Sequence, residues 1–209
     1  MQTRILAACL AFATLLGNPA MAGDHISPTG PGEFMAGLGQ KVIDLVKDKE
    51  RPEAERKQTF GRLLDRDFDL PGITRFVLGF QWRSATGAER ERFAQVFRRY
   101  LIDVEWSRFS GYSGQRFVVT QTLPLGGGLA LVKSKIVDPN GNDGHSIKVE
   151  WQIMNDNGKY KITDVSVDGA SQEVAYRQEF MDVVLRHGNS VQALIDQLRQ
   201  KDRQLSGTA

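Results

Sequence analysis

The spacing of apolar residues changes twice along this 209-residue chain, and this change limits the folds open to it. From Phe34 to about Val104 the apolar residues recur at helical spacing, and from Arg116 to Val167 they recur at every second position. Helical spacing returns at Ser171. Because helices and strands occupy separate stretches, the sequence predicts an α+β domain. We expect N- and C-terminal helices to pack on one face of a curved antiparallel meander and to enclose an apolar cavity.

Local signals place several helix ends. Pro52 stands at an expected first turn, and residues 69–71 begin a short helix with an aspartate and a proline. Thr86 and Glu89 have the spacing of a capping box, in which each side chain accepts a hydrogen bond from the other residue's backbone N–H. Gly188 is expected to end a C-terminal helix before another one begins.

The central meander contains three recognisable strands. Residues 146–153 alternate polar and apolar side chains, and Leu129–Val137 and 160–167 are the expected partners. The apolar phase of the last strand slips near Thr163 and Asp164, which predicts a bulge that curves the sheet. Asparagine-glycine pairs at positions 140–141 and 157–158 are typical of hairpin turns.

The first 22 residues have the layout of a secretory signal. Arg4 precedes an uncharged run over residues 5–16, and small residues at positions 20–22 form a cleavage site. The run is shorter than the roughly 20 residues that span a bilayer. A lipoprotein signal ending at Cys9 is the weaker alternative, because almost no apolar run precedes that cysteine. We expect a signal peptide (1–22), a flexible leader (23–33), a single domain (34–202) and a frayed tail (203–209).

Charge and motif content exclude several classes of function. The chain has 27 basic and 25 acidic residues, so it lacks the basic excess typical of nucleic-acid binders. Its one cysteine lies in the predicted signal, so the mature protein has no thiol nucleophile. The zinc-protease, serine-hydrolase and P-loop motifs are missing from the sequence. Residues 138–144 resemble the start of a calcium loop, but the glycine and the final acidic ligand are out of place, so a hairpin turn is favoured. We expect no metal and no cofactor.

Several separated motifs stand out along the chain. They are Phe68-Asp69-Leu70, Ile73, Arg75-Phe76-Val77-Leu78-Gly79, Trp82-Arg83, Ala85-Thr86, Phe109 with Tyr112-Ser113-Gly114, Ile162-Thr163-Asp164-Val165, Gly169-Ala170-Ser171 and Tyr176-Arg177 with Phe180. Together they resemble the motifs of one bacterial family, the MlaC or toluene-tolerance proteins. The resemblance covers about residues 34–198. It implies a soluble periplasmic carrier that shuttles phospholipid between an outer-membrane lipoprotein complex and an inner-membrane ABC transporter complex. The acyl tails would lie between helices and sheet, with phospholipid as cargo.

Elementary energetics support a carrier. Each buried CH₂ group is worth about 0.8 kcal/mol, so a two-tailed lipid crosses an aqueous compartment only when a protein encloses most of both chains. Apolar residues in the inward phase of their elements are the candidate walls of the lipid cavity. They are Val77, Phe93, Phe97, Leu101, Phe117, Leu131, Val149, Trp151, Ile153, Val165, Val167 and Phe180.

The sequence allows two roles for each of two sets of basic residues. Arg75, Arg83 and Arg177 are able to bind a lipid phosphate or to lock helices through a carboxylate or carbonyl, and the structural role is the favoured one. Lysines of the meander, including Lys133 and Lys135, form either a solvated outer face or a docking surface for acidic partners.

Other functions remain as alternatives. Similar proteins accompany hopanoid synthesis, so a hopanoid-associated lipid carrier is a second cargo class. A periplasmic enzyme on a cone-shaped α+β scaffold, with Asp164 as base, is the main alternative from a different class. A third is an adaptor that binds only proteins. We expect a monomer without enzymatic activity.

Overall fold

The computed structural model describes residues 30–139 and 146–205 of the chain. The predicted signal peptide, most of the leader and the turn at 140–141 lie outside these residues. The elements follow the order that the sequence predicts, with helices first, a meander next and two helices last. The helices are α1 (Pro31–Lys47), α2 (Glu53–Asp67), α3 (Leu70–Leu78), α4 (Gln81–Ser84), α5 (Gly87–Arg108), α6 (Gln172–Arg186) and α7 (Val191–Leu205). The strands are β1 (Arg116–Gly126), β2 (Leu129–Val137), β3 (Ile147–Asp156), β4 (Lys159–Val167) and β5 (Ala170–Ser171).

Several helices begin where a capping side chain or a proline stands at the first turn. Thr86 and Glu89 form the expected capping box at α5, with the Thr86 N–H donating to the Glu89 carboxylate at 2.8 Å. The Asp69 carboxylate accepts a hydrogen bond from the Gly72 N–H at 3.2 Å and caps α3. Helix α1 begins at Pro31, three residues before the helical spacing becomes visible, because proline at a first turn loses no hydrogen bond.

The five strands pair antiparallel in the order β1-β2-β3-β4-β5. Gln152 pairs with Asp164 whereas Ile153 pairs with Ile162, so Thr163 is the extra residue of the predicted bulge. The pair Asn157-Gly158 has positive φ at both residues and turns the chain between β3 and β4, as predicted.

The register of β2 corrects one orientation predicted from the sequence. Val132 pairs with Trp151 and is fully buried, so the even-numbered residues of β2 face the helices. Leu131 pairs with Gln152 and lies on the outer face, not on the inner face that was expected. The prediction failed because β2 is apolar at four successive positions (129–132), which leaves its phase undefined until β3 fixes it.

Three clusters of buried side chains hold the helices and the sheet together. We call two of them the helical core and the sheet core. The remaining cluster joins α1, α2 and α5 around Phe60 and Trp106. The helical core lies among α3, α5, α6 and α7 and contains Val77, Leu78, Ala85, Phe93, Val96, Phe97, Tyr100, Phe180, Val183, Val184, Val191, Leu194, Ile195 and Leu198. The sheet core lies between α1 and the inner face of the sheet and contains Met35, Leu38, Val132, Ile153 and Ile162.

Close packing of α1 on β1 gives a first testable prediction. A Cβ atom at Gly39 would lie 2.7 Å from Cγ of Phe117, whereas one at Gly37 would meet no atom within 4 Å. Gly39→Ala is therefore expected to lower the free energy of unfolding by about 2 kcal/mol, because the aromatic ring must move. Gly37→Ala is the matched control on the same helix and should raise it by about 0.5–1 kcal/mol. Urea denaturation measures both, and equal changes would contradict the packing described.

Candidate functional site

A groove of about 940 Å³ opens beside the helical core. Its walls come from α3, α4, the bulge of β4 and the first turns of α6. It therefore lies where the helices meet the edge of the inner sheet face. The lining residues are Asp69, Gly72, Ile73, Arg75, Phe76, Gly79, Phe80, Trp82, Arg83, Thr163, Glu173 and Arg177.

Apolar side chains form part of the groove wall. Ile73, Phe76 and Trp82 are half-buried and pack against the helical core from its edge. Phe80 is 56% exposed, which is unusual for a side chain of its size. The groove thus offers apolar surface that the fold itself leaves open to water.

Three arginines line the same groove from three helices. Arg75 and Arg83 are exposed, and Arg177 is half-buried with its guanidinium carbon 4.8 Å from the centre of the Phe76 ring. Within residues 30–139 and 146–205, no carboxylate lies within ion-pair distance of any of the three. The structural role that was favoured for them allowed a carboxylate or a carbonyl as the lock. Its carboxylate form is not found in this part of the chain, whereas Arg177 does pack on an aromatic ring.

The carboxyl groups near the groove have different surroundings. Asp69 is engaged by the backbone of α3. The Asp164 carboxylate accepts hydrogen bonds from the N–H groups of Val165 at 2.8 Å and Glu173 at 3.3 Å, so it fixes the bulge to the start of α6. Burial, followed by the negative charges of Asp164 and Asp69, raises the pKa of Glu173 to about 7, against the opposing effect of Arg177.

The raised pKa of Glu173 predicts a pH-dependent stability. Its pKa is about 7 in the folded protein and near 4.5 ordinarily, so the folded state binds the proton more tightly. This stabilisation is complete below about pH 4.5 and is lost as the pH rises through about 7. We expect the free energy of unfolding to fall by about 1–2 kcal/mol from pH 5 to pH 8, after allowance for solvent screening.

Glu173→Gln should remove most of that slope. Burial and the neighbouring Asp103 also raise the pKa of Asp202, to about 6, so a smaller slope should persist in the single variant. The slope should become smaller still when Asp202→Asn is added, and a remainder should come from Glu105, whose pKa burial also raises. Urea denaturation at each pH measures the effect, and an unchanged slope in Glu173→Gln would show that this carboxyl titrates normally.

The predicted wall residues fall in several places, and none of them lines the groove. Four are packed inside the helical core, and Leu101 packs against it. Ile153 belongs to the sheet core, against which Phe117, Trp151 and Val165 pack. Val149 is buried and pairs with Val167 on the inner sheet face, whereas Leu131 lies on the outer one. Contact of these residues with lipid stays a prediction. The four residues in the helical core are Val77, Phe93, Phe97 and Phe180.

The groove residues that the wall prediction omitted belong to a motif noted in the sequence. Arg75 and Phe76 lie in α3, Gly79 follows that helix, and Trp82 and Arg83 lie in α4. Helical phase did not select Trp82 and Arg83 because α4 has only four residues, too few to show a period.

Residues 30–139 and 146–205 contain neither a metal-binding cluster nor a membrane-spanning helix. There, no three His, Cys, Asp or Glu side chains are grouped to hold a metal ion. None of the helices in that part of the chain combines the length and apolarity needed to cross a membrane.

Comparison with known proteins decides the family. The sequence model of the MlaC protein family matches residues 37–200, which is most of the chain. The chain belongs to the MlaC family. The match spans every residue that lines the groove, from Asp69 to Arg177. The resemblance identified in the sequence is thereby confirmed.

Two relatives extend this result. The toluene tolerance protein Ttg2D of Pseudomonas putida is 27% identical over 171 residues, which cover 79% of this chain and 78% of that protein. The phospholipid-binding protein from Ralstonia solanacearum, solved in complex with a phospholipid, superposes with a TM-score of 0.65 at 19% identity. That match covers 82% of this chain and 98% of the other, so the two proteins share the fold.

Proposed function

We propose that this MlaC-family protein is a soluble periplasmic carrier that moves phospholipid, chemically unaltered, between outer-membrane and inner-membrane complexes. The groove is the observation that carries the proposal, because it combines exposed apolar surface with three arginines at the seam between helices and sheet. A relative with the same fold binds a phospholipid, which supports a diacyl cargo.

Half-buried apolar side chains give the acyl chains a route from the groove into the protein. Thr163 lines the groove and stands at the bulge, and Val165 follows it on the inner sheet face. Trp151 pairs with Val165, and its ring lies 6.0 Å from that of Phe117, so half-buried apolar side chains continue from the bulge across the sheet. Chains inserted along this line would part α3 and α6 from β4. Each CH₂ group so buried would contribute about 0.8 kcal/mol.

The sheet-side residues are therefore the better lipid contacts among those predicted from the sequence. Phe117, Val149, Trp151, Val165 and Val167 lie on the inner face near this route. The aromatic residues of the helical core are already packed on one another, so they would form the rigid wall behind the chains rather than the contact surface.

The outer face of the sheet is suited to docking with the membrane complexes. Lys133 pairs with Glu150 at 3.0 Å, whereas Lys135 stands directly opposite Lys148, so positive charge remains there. Such a face would steer the protein toward acidic surfaces of the membrane complexes. Residues 1–22 supply the secretory signal that this location needs. We propose that the carrier acts as a monomer.

A transfer assay tests the carrier function against the enzyme alternative. The purified mature protein is loaded with a phospholipid labelled in both the headgroup and an acyl chain and mixed with vesicles that contain the partner complexes. The carrier proposal predicts that both labels reach the vesicles in one intact molecule. Lysophospholipid or free fatty acid, produced in proportion to the protein and lost in Asp164→Asn or Ser113→Ala, would instead support an enzyme.

A further inference from the structure

We propose that Arg75, Arg83 and Arg177 together form a binding site for the phosphodiester of the lipid cargo at the mouth of the groove. This inference rests on the proposed carrier function and adds to it the chemical group that is recognised. It predicts selection for phosphate-bearing lipids whatever alcohol the phosphate carries, because guanidinium groups contact the phosphate oxygens and not the alcohol.

The placement of the three side chains favours a shared ligand. They project from α3, α4 and α6 into one groove, and in the described part of the chain none has a carboxylate partner within 4.0 Å. Guanidinium groups that line one groove without a carboxylate in ion-pair contact are suited to an anion with several oxygen atoms. A phosphodiester at the end of two acyl chains supplies one.

Arg177 is the best-positioned member of the set. Its guanidinium packs over the Phe76 ring, a contact that limits its motion and uses none of its N–H groups as hydrogen-bond donors to a protein oxygen. Gly79 lies against the same guanidinium, with φ of 61° and ψ of −136°, a backbone conformation reserved for glycine. The chain thus approaches Arg177 closely without a side chain that would cover it.

Charges around the groove leave an excess that an anion would balance. Asp69 faces the groove but is engaged by the N–H of Gly72. Glu173 is largely protonated just below neutral pH, so it opposes Arg177 only in part. Among the residues that line the groove, three permanent positive charges therefore face Asp69 and a partly protonated Glu173. The nearby Asp164 carboxylate is held by the backbone N–H groups of Val165 and Glu173.

The exposure of Arg75 and Arg83 suits a cargo that must be released. Solvated guanidinium groups bind phosphate more weakly than buried ones, and salt screens the attraction. The site would orient the headgroup outward without trapping it, and the acyl chains would supply most of the affinity.

Isothermal titration of the delipidated mature protein tests this inference with three probes. They are dihexanoyl phosphatidylglycerol, dihexanoylglycerol, which lacks the phosphate, and glycerol 3-phosphate, which lacks the chains. The variants are Arg177→Gln and the double variant Arg75→Gln/Arg83→Gln. The matched control is Arg92→Gln, because Arg92 is exposed on α5 and bonds the Ala88 carbonyl of its own helix.

We expect each groove variant to weaken phosphatidylglycerol binding by about tenfold or more at low salt, with dihexanoylglycerol unchanged within twofold. Arg92→Gln should change neither. Arg177→Lys should lose most of the same selectivity, because lysine keeps the charge but not the planar contact with Phe76. Unchanged phosphatidylglycerol binding, or an equal loss for both lipids, would overturn the inference.

The probes also separate this inference from the carrier function. Arginine-dependent binding of glycerol 3-phosphate, with neither diacyl lipid bound, would support an anion site for free phosphate esters and contradict the carrier. Binding of both diacyl lipids with no preference for phosphate would support the carrier and contradict the anion site. If circular dichroism shows that Arg177→Gln does not fold, the double variant at the exposed Arg75 and Arg83 decides.

Discussion

Replacing Val149 with aspartate is expected to abolish lipid retention at neutral pH. Val149 is 4% exposed on the inner sheet face and pairs with Ser134 and Val167. A carboxylate there would have no positive partner on either neighbouring strand and would oppose acyl chains lying on the sheet. We expect the retained lipid, measured by mass spectrometry of a detergent-free preparation, to fall to a few per cent of the wild-type amount.

The orientation of β2 provides the matched control. Leu131→Asp introduces the same charge one strand away but on the outer face, so it should retain lipid in full. Burial should also raise the pKa of the new carboxyl at position 149, so partial recovery of lipid near pH 5 is expected. Full lipid content in a folded Val149→Asp protein at neutral pH would show that acyl chains do not reach this part of the sheet.

Replacing Phe97 with alanine is expected to lower the free energy of unfolding by about 3–5 kcal/mol. Phe97 is fully buried and stacks on Phe93 at 5.7 Å between ring centres. It also meets Phe180 edge-on at 5.4 Å and Tyr176 at 5.7 Å. Removal of the ring leaves a cavity among three aromatic neighbours, which cannot collapse to fill it.

The contrasting variant is Phe80→Ala at the exposed rim of the groove. Because Phe80 is more than half exposed, its loss should change the free energy of unfolding by less than about 0.5 kcal/mol. Urea denaturation of lipid-free protein gives both values. A cost below about 1 kcal/mol for Phe97→Ala would place this residue at a lipid-filled space instead of in the helical core.

The sequence predicts much of the fold because its signals are local. The capping box at Thr86, the turn at Asn157-Gly158 and the bulge at Thr163 each depend on a few adjacent residues, and each is confirmed. The short strand β5 was not predicted, because its two residues, 170–171, are too few to alternate. Leu131 was placed on the wrong face for a related reason, since an uninterrupted apolar run has no phase.

The site was harder to predict because inward orientation does not distinguish a packed core from an open wall. Phe93 and Phe180 point inward and pack on other side chains, whereas Phe76 belongs to a similar pattern but lines the groove. The difference depends on how α3, α4 and α6 meet the edge of the sheet, which involves residues about 100 positions apart. The arginines illustrate the same limit, because only the folded arrangement shows that no carboxylate of the described residues lies within ion-pair distance of them.

Native mass spectrometry of the protein released from the periplasm, without detergent, tests the central claim most directly. The carrier account predicts a protein mass that corresponds to cleavage near residue 22, accompanied by adducts whose masses and fragments identify intact diacyl phospholipid. A set of adducts with polycyclic lipid fragments would instead support a hopanoid-associated cargo. A folded mature protein that carries no lipid, and acquires none when incubated with phospholipid vesicles, would contradict the account.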